Sequence, residues 1–532
     1  MIGRLIQKEL ANYLLDFRFV AVFALCILLS ALSVYVGGQN YVRQLEEYTM
    51  TAENQRSTLQ TYIDKGNLFH FQRHGYRWSR RPETLSPVVY GLSGKLGQEM
   101  HIHYQRLPRF EASLFEGDPA FALFGVLDLA FIVRVVLALV ALLFTYDAIC
   151  GEKEDGTLRL YASFPVSRST IALSKLAGAA VAVLAPFLFA FLLAAAVLSV
   201  FPGIDMQAQE WMRVAVLMAT FALYLAVFAA FGVWASALTH RKMAAFLALL
   251  GLWAVWVFIV PEAAVRVARR LASAESSVEL QKLADNLLWE VEREKQGARR
   301  AFFQQQQASQ QEEIRDYLKR RSVKGLDAML AMQEAQRNWD SVTEDQKKAL
   351  WVEWQRIPKS SLKVWQEAVK TVRERNRSRQ RETYAEARKE IDAKWDDIYY
   401  NRLARYHEAH RNQLREQQAL AKALSAISPF SAVTFASMDL AHTGYVQKDR
   451  IEDALGAHLV YLAEFIRRKA NSSDGGSSRG VDIGDFSPFV FQDRETLAAC
   501  LSRNGIHLLS LALLAVLGFV GAYVAILRYD VR

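Results

Sequence analysis

Six stretches of this chain are apolar for long enough to cross a lipid bilayer, and its polar positions are gathered between them. The runs are Phe19–Gly37, Phe121–Tyr146, Ile171–Val200, Val214–Leu238, Ala244–Pro261 and Ile506–Leu527. Spanning about 30 Å of hydrocarbon takes roughly 18–25 helical residues, so each run predicts one transmembrane helix. The run Ile171–Val200 is longer than the hydrocarbon is thick and contains Pro186, which predicts a tilt or a kink. The predicted fold is an all-α integral membrane protein with six spans and two extracytoplasmic inserts. A smaller mixed insert separates spans 1 and 2, and a large helical, stalk-like insert separates spans 5 and 6. The chain then divides into 1–37 (an amphipathic helix and span 1), 38–120 (first insert), 121–261 (spans 2 to 5, with a polar elbow at 147–169), 262–505 (second insert) and 506–532 (span 6 and the C-terminus).

The two inserts carry different patterns. Tyr41–Asp64 keeps a helical period, after which Gly66, Gly75, Pro82, Pro87, Gly91 and Gly94 predict turns and short strands. From Val265 to Leu424 the second insert has only Pro358, Gly297 and Gly325 as breakers, so long helices are predicted there. Its apolar positions (Leu280, Leu283, Leu287, Val291, then Ile391, Trp395, Ile398) recur at threes and fours, in stripes too interrupted for a long coiled coil. Ser341–Glu344 matches a capping box and Ile357–Ser360 a break, which predicts at least three helices, at 264–338 (whole or divided near Gly325), 342–356 and 361–424, the first and last antiparallel. Trp339, Trp351, Trp354 and Trp365 gather near the turn, as a small core or as a docking patch for an extracytoplasmic protein. Ser428–Lys469 reads as amphipathic helices folding back to the membrane. Met1–Asp16 is also amphipathic, and either lies in the interface or extends span 1.

Charge orients the spans. With the N-terminus inside, the inner side collects Arg4, Lys8, Arg18, Lys153, Arg159, Arg168, Lys175, Arg241, Lys242, Arg528 and Arg532, whereas the short outer loop Phe201–Arg213 offers only Arg213. Both termini are therefore expected in the cytoplasm. The net charge of +9 reflects this bias and the charged helices, and no helix-turn-helix, finger or aromatic-basic module accompanies it, so nucleic acid is not an expected partner. The three cysteines, Cys26, Cys150 and Cys500, are scattered and predict neither a disulfide framework nor a zinc site.

Candidate chemistry is sparse. Asp128 and Arg134 fall in span 2, where each charge costs about 2.5–3.5 kcal/mol on insertion scales. Their spacing places them about 120° apart on a regular helix, which makes them poor partners for each other. Arg134 is expected instead to meet an anionic substrate group, a carboxylate of another subunit or a structural bond in the bundle. His70, His74, His101 and His103 lie in the first insert, but no carboxylate or cysteine spacing completes a ligand set, and no metal is predicted. His407-Glu408-Ala409-His410 is one residue short of the His-Glu-x-x-His metalloprotease spacing. Gly91–Lys95 (GLSGK) lacks the spacing of a phosphate-binding loop, and no nucleophile triad stands out, so the chain is not expected to be an enzyme or to hold a cofactor.

The elbow is the most informative segment. Gly151 and Gly156 permit sharp turns, and Glu152, Glu154 and Asp155 suit a helix N-terminus, making a compact charged knuckle that a partner can grip. Glu152–Leu160 (EKEDGTLRL), then Ser163–Arg168 (SFPVSR) and Lys175, resemble the signature after the second span of ABC-2 type transporter permeases. The likeness is closest to the permeases for multicopper-enzyme maturation or gliding motility, and Ile6–Leu10 (IQKEL) and Ile427–Gly444 (ISPFSAVTFASMDLAHTG) fit the same order. The resemblance implies a bacterial cytoplasmic-membrane protein working as a dimer with a second copy or a paralogue. It also implies cytoplasmic ATP-binding subunits that carry ATP and Mg, with export or mechanical transmission as the task. Glu152, Glu154, Asp155, Gly156 and Thr157 are the residues expected to couple the two kinds of subunit. The competing reading is a membrane-anchored scaffold or signalling protein whose outer stalk binds a partner.

Overall fold

A computed structural model of the chain describes residues 2–66, 68, 73–94, 97–103, 109–111, 128–158, 167–274, 277–337, 339, 342–472, 481–493 and 495–528. His70, the residues 121–127 at the predicted start of span 2, and the elbow residues 159–166 lie outside that set.

The chain opens with a separate helix, α1 (Ile2–Leu15), which breaks at Asp16 before α2 (Phe17–Asp64). Leu14, Leu15 and Phe17 stand exposed around the break, as suits a helix lying at a bilayer surface rather than extending a span. At 48 residues α2 is about 72 Å long, so it crosses a bilayer and continues as the first part of the insert. The insert then forms a small antiparallel sheet in the order β1-β2-β3, from β1 (Tyr76–Ser79), β2 (Glu99–Ile102) and β3 (Arg109–Glu111).

Span 2, α3 (residues 129–145), begins on an Asp128 cap and passes through a π-helical turn at Ile132–Leu137. A short helix, α4 (Cys150–Glu154), leads on toward α5 (Arg168–Val200), α6 (Ala208–Leu238) and α7 (Lys242–Leu271). The last span is α14 (Leu497–Leu527). Among the described residues six helices are long and apolar enough to cross a membrane, and the chain is a predominantly helical multi-pass membrane protein. Helix α6 is the axis of the bundle: it packs against α3, α5, α7 and α14 and buries residues along its whole length. Edge-to-face pairs such as Phe191 with Phe221 and Phe228 with Trp256 fill the spaces around it. Spans 1, 5 and 6 turn most of their surface outward, where lipid tails replace a protein core.

Three helices of the second insert flank that of its C-terminal part: α8 (Ser277–Arg320), α9 (Leu326–Arg337) and α10 (Glu344–Gln355) precede α11 (Lys359–Ser425). Ser341, the start of the predicted Ser341–Glu344 capping box, lies outside the described residues; a capping box of Thr343 and Gln346 opens α10. Then follow α12 (Pro429–Leu440) and α13 (Tyr445–Ser472). Helix α12 is almost wholly buried, packed on α6 and α14 inside the bundle, with Ser428 capping its start and donating its hydroxyl to the Trp256 carbonyl at 2.5 Å.

The chain forms two compact units. One comprises Met1–Glu275, Ala409–Lys469 and Ser478–Arg532; the other comprises Ser276–Glu408 with Ala470–Ser477. Within the second unit, α8 and α11 run antiparallel: Lys295 reaches Asp396 at 3.0 Å, Asn376 donates to Glu313 at 2.6 Å, and Ile314 and Leu318 pack on Ala368 and Val372. Trp365 joins that cluster, whereas Trp351 is 50% exposed, Trp354 is half-buried, and Trp339 lies under the Lys347 ammonium at 5.4 Å.

Candidate functional site

The elbow helix α4 has no capping side chain of its own; the amides of Ile149 and Cys150 instead donate to Ser236 Oγ on α6, at 2.9 and 3.0 Å. At its other end the Lys153 ammonium donates to the Ala237 carbonyl and, at 3.1 Å, to the Thr239 carbonyl. These belong to the last turn of α6, where helix carbonyls lack intrahelical partners and attract a cation. Leu158, just beyond α4, inserts among Ile149, Leu176, Val233 and Ile526, so the elbow is seated in apolar surface as well.

Glu152 faces inward and pairs with Lys175 of α5, whose ammonium also meets Glu9 of α1 at 3.2 Å. The Lys175 side chain is 6% exposed, so this three-membered group works in a poorly screened setting. Helix α1 can approach α5 this closely because position 178 is glycine: a Cβ there would lie 2.8 Å from Glu9 Cβ. Tyr13, one turn along α1, is held above the ordinary phenol range by burial first and then by the carboxylates of Glu9, Asp147 and Glu152.

Glu154 accepts the Lys242 amide at 3.0 Å, and Asp155 pairs with the Lys242 ammonium at 3.2 Å, which ties the elbow to the start of α7. Gly156 then adopts φ +73°, with nothing within 4 Å of the position a Cβ would occupy, and Thr157 beside it is exposed. The five expected elbow residues thus split. Glu152, Glu154 and Asp155 hold neighbouring helices, while Gly156 and Thr157 form the open tip. Sequence reasoning did not assign Glu9, Lys153, Ser236 or Lys242 to the site; the only local signal was charge on otherwise apolar helix ends.

The intramembrane pair requires a correction. Asp128 and Arg134 do meet, with Arg134 Nη2 at 3.7 Å from Asp128 Oδ1. Asp128 is the N-cap, with extended backbone (φ −87°, ψ 163°), so it stands outside the helix and the wheel angle does not apply to it; the long Arg134 side chain reaches back along the helix to the cap. Arg134 also donates from Nε to the Ala130 carbonyl and from Nη1 to Thr434 Oγ1, both at 3.0 Å, so all three guanidinium nitrogens are engaged within the chain. Asp128 accepts the amides of Phe131 at 2.6 Å and Tyr90 at 2.8 Å. Of the predicted histidine cluster, His101 Nε2 lies 2.6 Å from the His74 carbonyl and the His101 and His103 rings stack at 6.3 Å. Among the described residues no group of three or more His, Cys, Asp or Glu side chains gathers as a metal requires.

A second ionic group closes the opposite end of the bundle. Arg503 of α14 grips Asp439 of α12 through Nε and Nη2 at 2.9 and 3.0 Å and also reaches Glu495 at 2.7 Å. Arg450 of α13 joins Asp493 and Glu495, and Arg213 of α6 donates to the carbonyls of Leu440 and Glu495. His442, at φ +58°, is held between Asp493 on Nδ1 and Arg213 on Nε2. Burial opposes ionisation of Asp493, but the bond from His442 and the charges of His442 and Arg450 outweigh it and hold this carboxyl well below the usual range.

Comparison with known proteins agrees with this architecture. Residues 4–319 match the family model described as ABC-2 family transporter protein, and residues 400–494 match a domain of unknown function, DUF3526. The chain is 32% identical over 133 residues to the "Probable ABC transporter permease protein NosY" of Stutzerimonas stutzeri, an alignment covering 25% of this chain and 48% of that relative. The match thus spans about half the length of the relative. With the family model matching more than half of its residues, the chain belongs to the ABC-2 family of transporter proteins, as a membrane permease.

Proposed function

We propose that this chain is the membrane subunit of an ABC transporter, driven by a separate cytoplasmic ATP-binding subunit that grips the elbow. The observation that carries this reading is the Lys175 bridge, which joins the elbow (Glu152) to α1 (Glu9) and α5 at once. A push on the exposed Asp155–Thr157 tip has two routes into the bundle. One runs through Lys175 to α1 and α5; the other runs through Lys153 and Lys242 to the facing ends of α6 and α7. ATP and Mg belong to the partner in this reading, and their binding and hydrolysis supply the stroke. Family membership and the lysine and arginine bias support an inner-membrane protein with both termini in the cytoplasm, working as a pair with a second permease. Its output is export or a mechanical stroke delivered to the extracytoplasmic inserts.

The test is affinity purification of the intact chain from its native membrane in mild detergent. An ATP-binding subunit with a phosphate-binding loop is expected to co-purify stoichiometrically, and to be lost from Gly156→Trp, whose Cβ meets nothing within 4 Å among the described residues. Retention of that subunit by the variant, or its absence from the native complex, would remove the coupling role from the elbow.

A further inference from the structure

A cavity of about 490 Å³ lies at the end of the bundle opposite the elbow, between the later turns of α2, strand β1, the start of α6 and the segment 488–493. All of these belong to one compact unit. Three of the polar side chains lining it are buried at atoms that have no partner: Arg80 Nη1, Gln55 Nε2 and Glu210 Oε2. Arg80 is 7% exposed and spends only Nη2, on the Ser93 carbonyl at 3.2 Å. Buried donors and acceptors left unsatisfied in this way are uncommon, and two donors and one acceptor around one space describe a polar guest.

The strand beside the cavity adds a second, independent observation. In the sheet order β1-β2-β3, β1 is an edge. Its register pairs Tyr76 with Ile102 and Trp78 with Met100, and Arg80 N–H donates to the Gln98 carbonyl at 2.8 Å. Alternate residues of an antiparallel strand bond to alternate sides. The even positions therefore serve β2, and the amides and carbonyls of Arg77 and Ser79 point to the free side, where no backbone partner meets them among the described residues. Arg77 is exposed and Ser79 is buried beside the cavity, and a free strand edge normally is blunted or covered. Aromatic surface flanks the edge, with Trp78 and Phe489 at 5.1 Å, and charges of both signs line the rim, Arg56 and Arg81 against Asp205 and Asp493.

We propose that this cavity binds an extended peptide segment of a partner protein, added as a strand on the free edge of β1, with its side chains taken up by Arg80, Gln55, Glu210 and the aromatic wall. A free backbone edge supplies affinity for any extended chain, and alternate pockets supply selectivity. Four residues of β1 span about 13 Å, enough to pair three or four residues of a guest. The site itself stands on geometry alone; only the extracytoplasmic source of the peptide rests on the orientation proposed above.

The probe is a pool of blocked synthetic hexapeptides, free of proline, each with one basic, one acidic and one aromatic residue, titrated by fluorescence polarisation against the intact chain in lipid nanodiscs. Micromolar binders are expected. N-methylation of alternate amides in a binder is expected to weaken it by about tenfold or more, since that removes ladder bonds and spares side chains. Arg77→Pro removes an outward-facing N–H without touching the β2 ladder and is expected to match that loss, whereas Arg77→Ala is expected to stay within about threefold. Arg80→Met is expected to weaken binding of peptides that carry an acidic residue, with an unchanged unfolding midpoint excluding collapse of the sheet. The proposal is overturned if no hexapeptide binds below roughly 1 mM. It is equally overturned if N-methylated and parent peptides bind alike, or if free amino acids or betaine occupy the site as well as peptides do. The assay contains no ATP-binding subunit, so its failure leaves the transporter reading untouched, and loss of that subunit from elbow variants leaves this site untouched.

Discussion

The two ends of the helix bundle are both tied by charge, but in different chemistries. At the elbow end three of the cations are lysines, Lys175, Lys153 and Lys242, each a point charge on a flexible arm, and Arg168 of α5 donates to the Leu527 carbonyl of α14 at 3.1 Å. At the opposite end they are arginines: Arg503, Arg450 and Arg213, whose planar forks bind two acceptors in fixed directions. Lysine contacts tolerate rotation of the helix they hold, whereas bidentate arginine contacts do not. The difference describes a lever: one end is free to turn, and the other is a clamp joining α6, α12, α13 and α14.

The largest way to break that comparison is Asp439→Ala. It strips the forked partner from Arg503, which is 38% exposed and keeps Glu495, and it takes the carboxylate from the buried Asn504 amide, at a combined cost of about 3 kcal/mol. The urea midpoint of the detergent-solubilised chain is expected to fall accordingly. Lys175→Met comes next. Glu9 and Glu152 then lose their shared cation, with only Lys8 left, 3.9 Å from Glu9, at a cost of about 2 kcal/mol, the partial exposure of Glu152 relieving some of it. Adding Glu152→Gln to Lys175→Met is expected to return most of the stability but not the ATPase stimulation by the complex. A larger stability loss from Lys175→Met than from Asp439→Ala would reverse the assignment of clamp and lever.

How much of this could be read from the chain depends on distance along it. The six spans were legible because a bilayer demands one long apolar run per helix, and the elbow because a charged, glycine-punctuated knuckle between two such runs has no other use for its composition. Helix α12 was not legible as part of the bundle. Its apolar stretch is 12 residues, too short to signal a span, and only packing on α6 and α14 places it inside. The Lys175 bridge joins residues 166 apart, and nothing in local spacing announces that. The Asp128–Arg134 contact was missed for another reason: the helical wheel assumes that both residues lie in one regular helix, and Asp128 is the extended N-cap outside it, within reach of the long Arg134 side chain.

Acid sharpens the comparison by acting on the clamp end. His458 of α13 lies 2.6 Å from the Tyr76 hydroxyl, and burial lowers its pKa to about 4 from an ordinary 6.5. The folded protein therefore resists protonating this ring while the unfolded chain accepts the proton. Its contribution is fully present above pH 6.5 and is lost as the pH falls from there toward 4. The ring is only partly covered, so screening reduces the loss to about 1.5 kcal/mol. His458→Phe is expected to flatten the unfolding midpoint across that window, measured at fixed detergent and salt; a profile as steep as that of the parent would place the acid sensitivity elsewhere.

The smallest effect belongs to the tip of the lever. Gly156 sits at φ +73°, a conformation that costs an L-residue about 1 kcal/mol. Gly156→Ala is expected to lose that much in thermal unfolding, and Gly156→Asn less, because asparagine enters the left-handed region more readily. Gly156→Trp is expected to share the alanine's backbone cost, its Cβ likewise meeting nothing within 4 Å. Stability thus cancels between the alanine and tryptophan variants, and binding of the ATP-binding subunit is left as the discriminating measurement. If alanine binds and tryptophan does not, the subunit seats on the surface at the tip. If both fail, it reads the backbone turn itself, and the lever is driven through its shape rather than its side chains.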